Sequence, residues 1–229
     1  NTNWNAAANW DPDFVPAAGN TVAIASPVTV DWTGGSMVNC TLTLTNGANL
    51  RGTTAYARMG GGTINVSSNS TLVLATAGGW DLNGGTLNFQ NGAAAPITDW
   101  ELKNVNRFSF KLGSAGFTPL LPVNLRGNSN LDLITNSTWI ADMANYTGGL
   151  GIITLVDYTA DLLFGSPGFT NFARANLIVT NAAPGYTANL QWNNTTKAVE
   201  LNVTAAPGAV TYYWDNNGAT AGFGPAAGI

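Results

Sequence analysis

Apolar residues and small polar residues alternate along most of this chain. The segments TLTLT (residues 41–45), TINVS (63–67) and TLNF (86–89) place an apolar residue at every second position, between threonine, asparagine or serine. A period of two points the apolar side chains to one face of a β-strand and the polar side chains to the other. Runs rich in glycine and asparagine, which tolerate the positive φ of tight turns, separate these segments. The pattern predicts an all-β protein of many short strands, with almost no helix.

Two of these strands belong to a repeated motif. GGGTINV, beginning at Gly60, and NGGTLNF, beginning at Asn83, share the order Gly-Gly-Thr-apolar-Asn-apolar. The two copies begin 23 residues apart. A short strand that recurs at this spacing cannot bury one face alone, and stacking such strands as rungs gives a continuous core. We therefore expect residues 26–150 to form a short right-handed parallel β-solenoid of about five or six rungs. A β-sandwich is the alternative, and residues 97–121 fit neither pattern cleanly.

The two ends of the chain differ from this middle part. Residues 1–25 are tryptophan-rich and irregular before a first strand at residues 21–24, which is typical of a cap over the open edge of a solenoid. Residues 151–204 contain longer alternating segments and predict a C-terminal antiparallel β module. Residues 205–229 begin with the breaker AAPGAV and continue into a strand-like aromatic stretch, so we interpret them as a linker and a connecting strand to a further copy or module.

Both ends resemble one known family. The opening W…NWDP…PAAGNTVAI and the later IITLVDY, GFTNF, GYTANL and KAVELNV are similar to parts of secreted bacterial proteins with autotransporter-associated β-strand repeats. The tail YYWDNNGATAGFG resembles the start of the next repeat module in such proteins. The resemblance implies a passenger-type β-solenoid and an extracellular or cell-surface location. No catalytic residues come with it.

The low charge content and the short apolar runs of the chain argue against two classes of partner, nucleic acids and membranes. Only 9% of the 229 residues are charged, against roughly 25% in ordinary domains, and the net charge is −4. Nucleic-acid binding needs a basic stripe, so we expect no nucleic-acid partner. No apolar run approaches the ~18 residues of a membrane span, so we expect no membrane insertion. The chain begins without Met or a signal-like segment, and we interpret it as a mature or excised piece.

Catalytic chemistry has few candidates here. The chain has no histidine, which removes Ser-His-Asp and Cys-His catalysis and histidine metal sites. Asp99 and Glu101 are the best carboxylate pair for a glycosidase, although a solvated, salt-bridged face is the favoured interpretation. The DLNG (81–84) and DNNG (215–218) runs supply too few carboxylates for calcium, and Asx-turns explain them better. We predict no catalytic residue, no metal and no cofactor, hence no enzyme.

The aromatic tail suggests self-association. At period two, Tyr212 and Trp214 project to one face of a strand, and such a strand can pair with the exposed sheet edge or the cap of a neighbouring copy. A head-to-tail contact of this kind does not close on itself and produces a fibre. We predict a structural subunit of an extracellular filament or surface array, with self-association through Tyr212, Tyr213, Trp214 and Phe223.

The alternative function is an adhesin or glycan-binding passenger module with a surface polysaccharide as partner. Four tryptophans are the stacking candidates, with burial in the cap or core as the competing interpretation: Trp4, Trp10, Trp32 and Trp80. The TLTLT segment also matches the flat threonine arrays of ice-binding solenoids, but we do not expect its threonines to repeat in register on later strands. The single cysteine, Cys40, excludes an intramolecular disulfide and is expected to be a buried structural thiol or, alternatively, an intermolecular bridge.

Overall fold

The structure is a computed structural model that describes residues 3–13, 15–32, 36–52, 56–74, 79–96, 99–121, 124–127, 137–157, 176–193 and 195–205. These ranges hold sixteen β-strands and one short 3₁₀ turn, Ala7–Asn9, and no α-helix lies within them. The prediction of an all-β protein is confirmed, and most of its strand pairs are parallel.

The strands follow the chain in this order: β1 (Thr21–Ile24), β2 (Thr29–Trp32), β3 (Ser36–Val38), β4 (Thr41–Leu44), β5 (Asn49–Gly52), β6 (Tyr56–Gly60), β7 (Thr63–Val66), β8 (Thr71–Leu74), β9 (Gly79–Gln90), β10 (Asp99–Lys111), β11 (Asn124–Gly127), β12 (Thr138–Asp142), β13 (Gly151–Asp157), β14 (Asn176–Thr180), β15 (Tyr186–Asn193) and β16 (Ala198–Ala205).

Parallel pairing organises the first part of the chain into two sheets. The main sheet follows the order β1-β4-β7-β9-β10-β12-β14, with β3, β6 and β11 extending it, and a second parallel sheet has the order β2-β5-β8. The two copies of the repeated motif lie side by side, since Thr63 pairs with Thr86. Residues 97–121, which fit no sequence pattern cleanly, contain the long strand β10, which pairs with β9 through a register shift between Lys103 and Asn106.

Turns between these strands use the predicted residue types. Asn46 and Gly47 have φ values of +56° and +79° and connect β4 to β5. Gly62, with φ of +77°, precedes β7 in the GGG run. A Cβ at Gly62 would collide with the backbone of Cys40, so the close approach of neighbouring strands there requires glycine.

The parallel register stacks apolar residues into two inner rows. All of their members are buried, and both rows carry a phenylalanine on β10. The rows are Val22, Leu42, Ile64, Leu87, Phe108 and Trp139, and Ile24, Leu44, Val66, Phe89, Phe110 and Ala141. Burying each large side chain contributes about 1.5–3 kcal/mol, so these rows supply much of the stability of the sheet.

The opposite face of the main sheet is polar. The expectation that the threonines of residues 41–45 do not repeat in register on later strands is wrong for Thr41. Thr21, Thr41, Thr63 and Thr86 lie in register on four neighbouring strands. This row could not be recognised from the sequence, because the intervals between its successive threonines are unequal. The next row does differ from strand to strand, since Thr43 pairs with Asn65.

Three C-terminal strands form a separate antiparallel sheet. Its order is β13-β16-β15, whereas β14 joins the main parallel sheet beside β12. Trp192 of β15 packs edge-to-face against Trp139 of β12, with ring centroids 5.1 Å apart. Leu120 accepts a hydrogen bond from Asp157 and donates one to Leu155, both at 2.9 Å. One hydrophobic core runs through all three sheets, from Trp4 to Val203.

Candidate functional site

Strand β1 is the terminal strand of the main sheet. Its strand partner is β4: the Thr41 N–H donates to the Asn20 carbonyl (2.9 Å), and the Thr45 N–H donates to the Ile24 carbonyl (3.0 Å). Backbone groups of successive residues in a strand point to opposite sides. Those of Thr21 and Ala23 therefore point away from β4. Among the described strands none pairs with this side, so β1 presents an open hydrogen-bonding edge.

The N-terminal cap covers the second sheet instead. The Trp4 N–H donates to the Asp31 carbonyl of β2 at 2.8 Å, and Asn3 forms a parallel bridge with Asp31. Trp10 holds the cap together, because its Nε1–H donates to the Trp4 carbonyl at 2.8 Å and the two rings meet edge-to-face at 4.8 Å. The cap is tied to β2 in this way, while no strand of the described ranges covers the edge of β1.

A groove lies between the cap and the open edge of β1. Its volume is about 700 Å³, within the roughly 300–1,000 Å³ range of ligand pockets. Apolar and neutral polar residues line it, and Asp11 is the charged residue among them. The lining comprises Asn9, Trp10, Asp11, Pro12, Pro16, Asn20, Ala25, Val28, Thr29 and Val30 together with all of β1.

The four predicted stacking tryptophans have different environments. Trp4 and Trp32 are 4% and 3% exposed, so neither ring offers a face to a sugar. Trp10 is half-buried and lines the groove. Trp80 lies in β9, where its backbone pairs with Trp100, and its side chain is outside the described part. Of the three tryptophans whose side chains are described, Trp10 alone lies at an accessible surface.

The predicted self-association residues are not in the described ranges. Tyr212, Tyr213, Trp214 and Phe223 all follow Ala205, where the described chain ends. The groove at β1 was not predicted from the sequence. The Pro- and Trp-rich composition of residues 1–25 indicated a cap, but not which strand edge it would leave open.

The candidate carboxylate pair lies on β10. Asp99 pairs with Gly79 and Asn124, whereas Glu101 pairs with Asp81 on one side and Arg126 on the other. Asp81 in turn pairs with Arg58, so the register forms a row of charged positions with arginines at both ends: Arg58, Asp81, Glu101 and Arg126. The register is that of the backbone, and the side chains of these four residues lie outside the described part of the structure.

A cross-strand ion pair lies in the second sheet. Arg51 Nε donates to Asp31 Oδ1 at 2.6 Å, and the two residues are register partners on β5 and β2. The hydrogen bond from Arg51 to Asp31, together with the charge of the carboxylate, raises the pKa of the arginine.

In the described ranges no cluster of three or more His, Cys, Asp or Glu residues forms a metal-binding group. Cys40 is buried, and its thiol donates to the Ala17 carbonyl at 3.2 Å.

Sequence reasoning missed a buried carboxylate in the antiparallel sheet. Glu200 accepts hydrogen bonds from Thr196 Oγ1 (2.7 Å), Asn193 Nδ2 (2.9 Å) and Gln191 Nε2 (3.3 Å). Burial acts to raise the pKa of Glu200, but the hydrogen bonds from Asn193, Thr196 and Gln191 outweigh it, and the net pKa lies below the ordinary value. The donors surround the carboxylate, so its role is to join β15, β16 and their connecting turn.

The outer face of the main sheet carries a ladder of amides. Asn88 Nδ2 donates to Asn65 Oδ1 at 2.7 Å, and Asn65 Nδ2 donates to Thr43 Oγ1 at 3.2 Å. They line a shallow cleft of about 380 Å³ that ends at Lys111 and Asp142. Because these side chains bond to one another across neighbouring strands, the ladder stabilises the sheet and leaves few amide groups directed at a ligand.

Comparisons with protein-family models, with curated proteins and with solved structures find no match for this chain. Within the described ranges, no helix has the length and apolar character to cross a membrane.

Proposed function

We propose that this chain is a structural subunit of an extracellular filament or surface array, linked head-to-tail through its C-terminal strand. The observation that carries the proposal is the open edge of β1, which lies at one end of a ladder of seven strands. The segment containing Tyr212 and Trp214 follows β16, whose partner strand β15 packs against β12 near the other end of the ladder. An open edge on one copy and a strand-forming segment on the next are the two halves of a β-strand addition contact.

In this proposal the parallel sheets form a short right-handed β-solenoid. Strand orders β1-β4-β7-β9 and β2-β5-β8 support it, because each order repeats through successive passes of the chain. Inner rows of apolar residues across those passes are the expected core of such a stack. A solenoid suits a mechanical role, since its hydrogen bonds and apolar contacts run along the axis on which copies are added.

Surface chemistry supports an assembly outside the cell. The 229 residues include only 8 lysines and arginines, so trypsin-like proteases find few cleavage sites, and weak net charge lets copies pack with little repulsion. The resemblance to secreted proteins with autotransporter-associated β-strand repeats agrees with this location.

Negative-stain electron microscopy of the full chain and of the chain truncated after Ala206 tests the proposal. We expect fibres from the full chain and monodisperse particles after truncation. Circular dichroism of the truncated chain should retain the β-sheet spectrum, which separates loss of the connector from loss of the fold. Monodisperse particles in both samples would overturn the filament function.

Glycan binding by a surface adhesin is the second candidate function, and the position of Trp10 favours it. This ring is half-buried and lines the groove, so part of its surface is available for stacking. Pull-down on immobilised polysaccharides should lose the protein after Trp10→Ala and retain it after Trp10→Phe, which keeps an aromatic face. Absence of binding to every polysaccharide tried would reject this function.

A further inference from the structure

We infer that the groove at the edge of β1 is the acceptor for the C-terminal strand of a neighbouring copy, an inference that rests on the proposed head-to-tail assembly. The incoming strand pairs with the outward backbone groups of Thr21 and Ala23 and extends the main sheet by one strand between two copies. Its aromatic side chains fill the space beneath the cap.

The acceptor edge has the required hydrogen-bonding groups. Bonds from Thr41 and Thr45 to the carbonyls of Asn20 and Ile24 establish which side of β1 faces β4. The N–H and C=O groups of Thr21 and Ala23 are therefore directed to the opposite side, toward the groove that β1 lines. Both residues are exposed. An added strand satisfies these groups without disturbing the β1–β4 pairing.

The composition of the tail suits this groove. Residues 206–229 contain Asp215 as their only charged residue, and Asp11 is the only charged residue in the groove lining, so neither repulsion nor ion pairing dominates the contact. Val28 and Val30 provide an apolar wall, and Pro12 and Pro16 border the cap side. Tyr212 and Trp214, two residues apart, present their rings on one face of a strand and match such an apolar wall.

The distance along the sheet favours an intermolecular contact. Five strand spacings separate β1 from β12, which is roughly 24 Å at about 4.8 Å each. Tyr212 follows Ala205 by seven residues, which span at most about 24 Å when fully extended. Ala205 ends the antiparallel sheet, which packs against β12. The linker would have to be fully extended for the aromatic strand to reach β1 of its own chain, and this favours pairing with β1 of a neighbouring copy.

Replacement of Ala23 by proline in the full chain tests the acceptor edge. Ala23→Pro removes an outward N–H, and proline is tolerated on an edge strand when its N–H side faces solvent. The matched control is Ala23→Thr, which keeps the N–H and repeats the threonine of the neighbouring position Thr43. Sedimentation velocity and negative-stain microscopy should show assemblies for the natural chain and for Ala23→Thr, and at least a tenfold loss of assembled mass for Ala23→Pro.

The outcomes separate the β1 acceptor edge from the filament function. Assembly by Ala23→Pro equal to that of the natural chain overturns the β1 acceptor while the filament function stands. Absence of assembly in the natural chain overturns both.

Cysteine cross-linking decides the case in which Ala23→Pro does not fold. In a Cys40→Ser background, one sample carries Ala23→Cys and the other carries Tyr213→Cys, and the two are mixed under mild oxidation. The inference predicts covalent dimers in the mixture, and few when either variant is oxidised alone. No dimers in the mixture, with cross-linked monomers from the double variant, would mean that the tail folds back onto its own chain and would overturn the inference. Absence of any cross-link would also overturn it.

Discussion

The two ends of the main sheet are built differently. At the β1 end, the inner rows terminate in the aliphatic residues Val22 and Ile24, and no described strand pairs with the outer edge, which borders a groove. Toward the β14 end, the buried inner residue of β12 is Trp139, which stacks on Phe108 at 4.1 Å and is covered by Trp192 of the antiparallel sheet. A stack of parallel strands has two ends to protect. Near one end, aromatic residues and the antiparallel sheet cover the core, whereas at the other the described strands leave the outward strand-pairing groups of β1 without a partner strand.

Core truncation should affect the two ends unequally. Trp139→Ala removes a fully buried ring that packs against Phe108, Phe110 and Trp192, so we expect a loss of about 3–5 kcal/mol in the free energy of unfolding. Val22→Ala at the open end removes less buried surface and should cost about 2 kcal/mol or less. Urea denaturation of both variants measures the difference. Equal losses would show that the ends are packed alike.

The covered end should also be the acid-sensitive one. The folded-state pKa of Glu200 lies below its unfolded value, so the carboxylate stabilises the fold above the unfolded pKa, and this stabilisation is lost as pH falls through the folded pKa. Glu200→Gln places a neutral amide opposite the amide donors Gln191 and Asn193. We therefore expect a loss of about 1–3 kcal/mol in the free energy of unfolding at pH 7.

Urea denaturation from pH 7 to pH 3 checks the sign of this effect. The difference in unfolding free energy between the natural chain and Glu200→Gln should shrink below the ordinary glutamate pKa of 4.5. A difference that stays constant down to pH 3, or grows, would contradict the assignment of Glu200 as a stabilising carboxylate.

Substitution in the cap at the open end should have the smallest effect on the free energy of unfolding. Trp10→Phe keeps an aromatic ring near Trp4 but removes the Nε1–H donor to the Trp4 carbonyl, so we expect a loss of about 0.5–1.5 kcal/mol. Thermal unfolding followed by circular dichroism measures this change. A loss as large as that of Trp139→Ala would mean that the cap, rather than the covered end, controls the cooperativity of the fold.

Several features of the fold were predictable because they are local. Alternation in residues 41–45, 63–67 and 86–89 corresponds to strands β4, β7 and β9. The turn at Asn46 and Gly47 adopts the positive φ that its residue types favour. The β10 segment was harder to recognise, because its polar residues interrupt the alternation before Phe108 and Phe110.

Nonlocal features were predicted poorly for one physical reason. A period of two tells which face of a strand is buried but does not name the partner strand, and parallel partners are joined by long connections. The threonine row from Thr21 to Thr86 and the pairing of β14 with β12 both depend on such partners. The buried position of Glu200 likewise depends on donors that only the folded antiparallel sheet and its turn assemble.

The amino-acid sequence by itself determined the β-strands, their turns, the apolar and polar faces and the weakly charged surface, because each follows from neighbouring residues and their side-chain chemistry. Only the tertiary structure decided which sheet edge stays open, which tryptophans are buried and where the groove at β1 lies. Those properties depend on contacts between segments far apart in the chain, such as the hydrogen bond from Trp4 to Asp31 that directs the cap to β2 and away from β1.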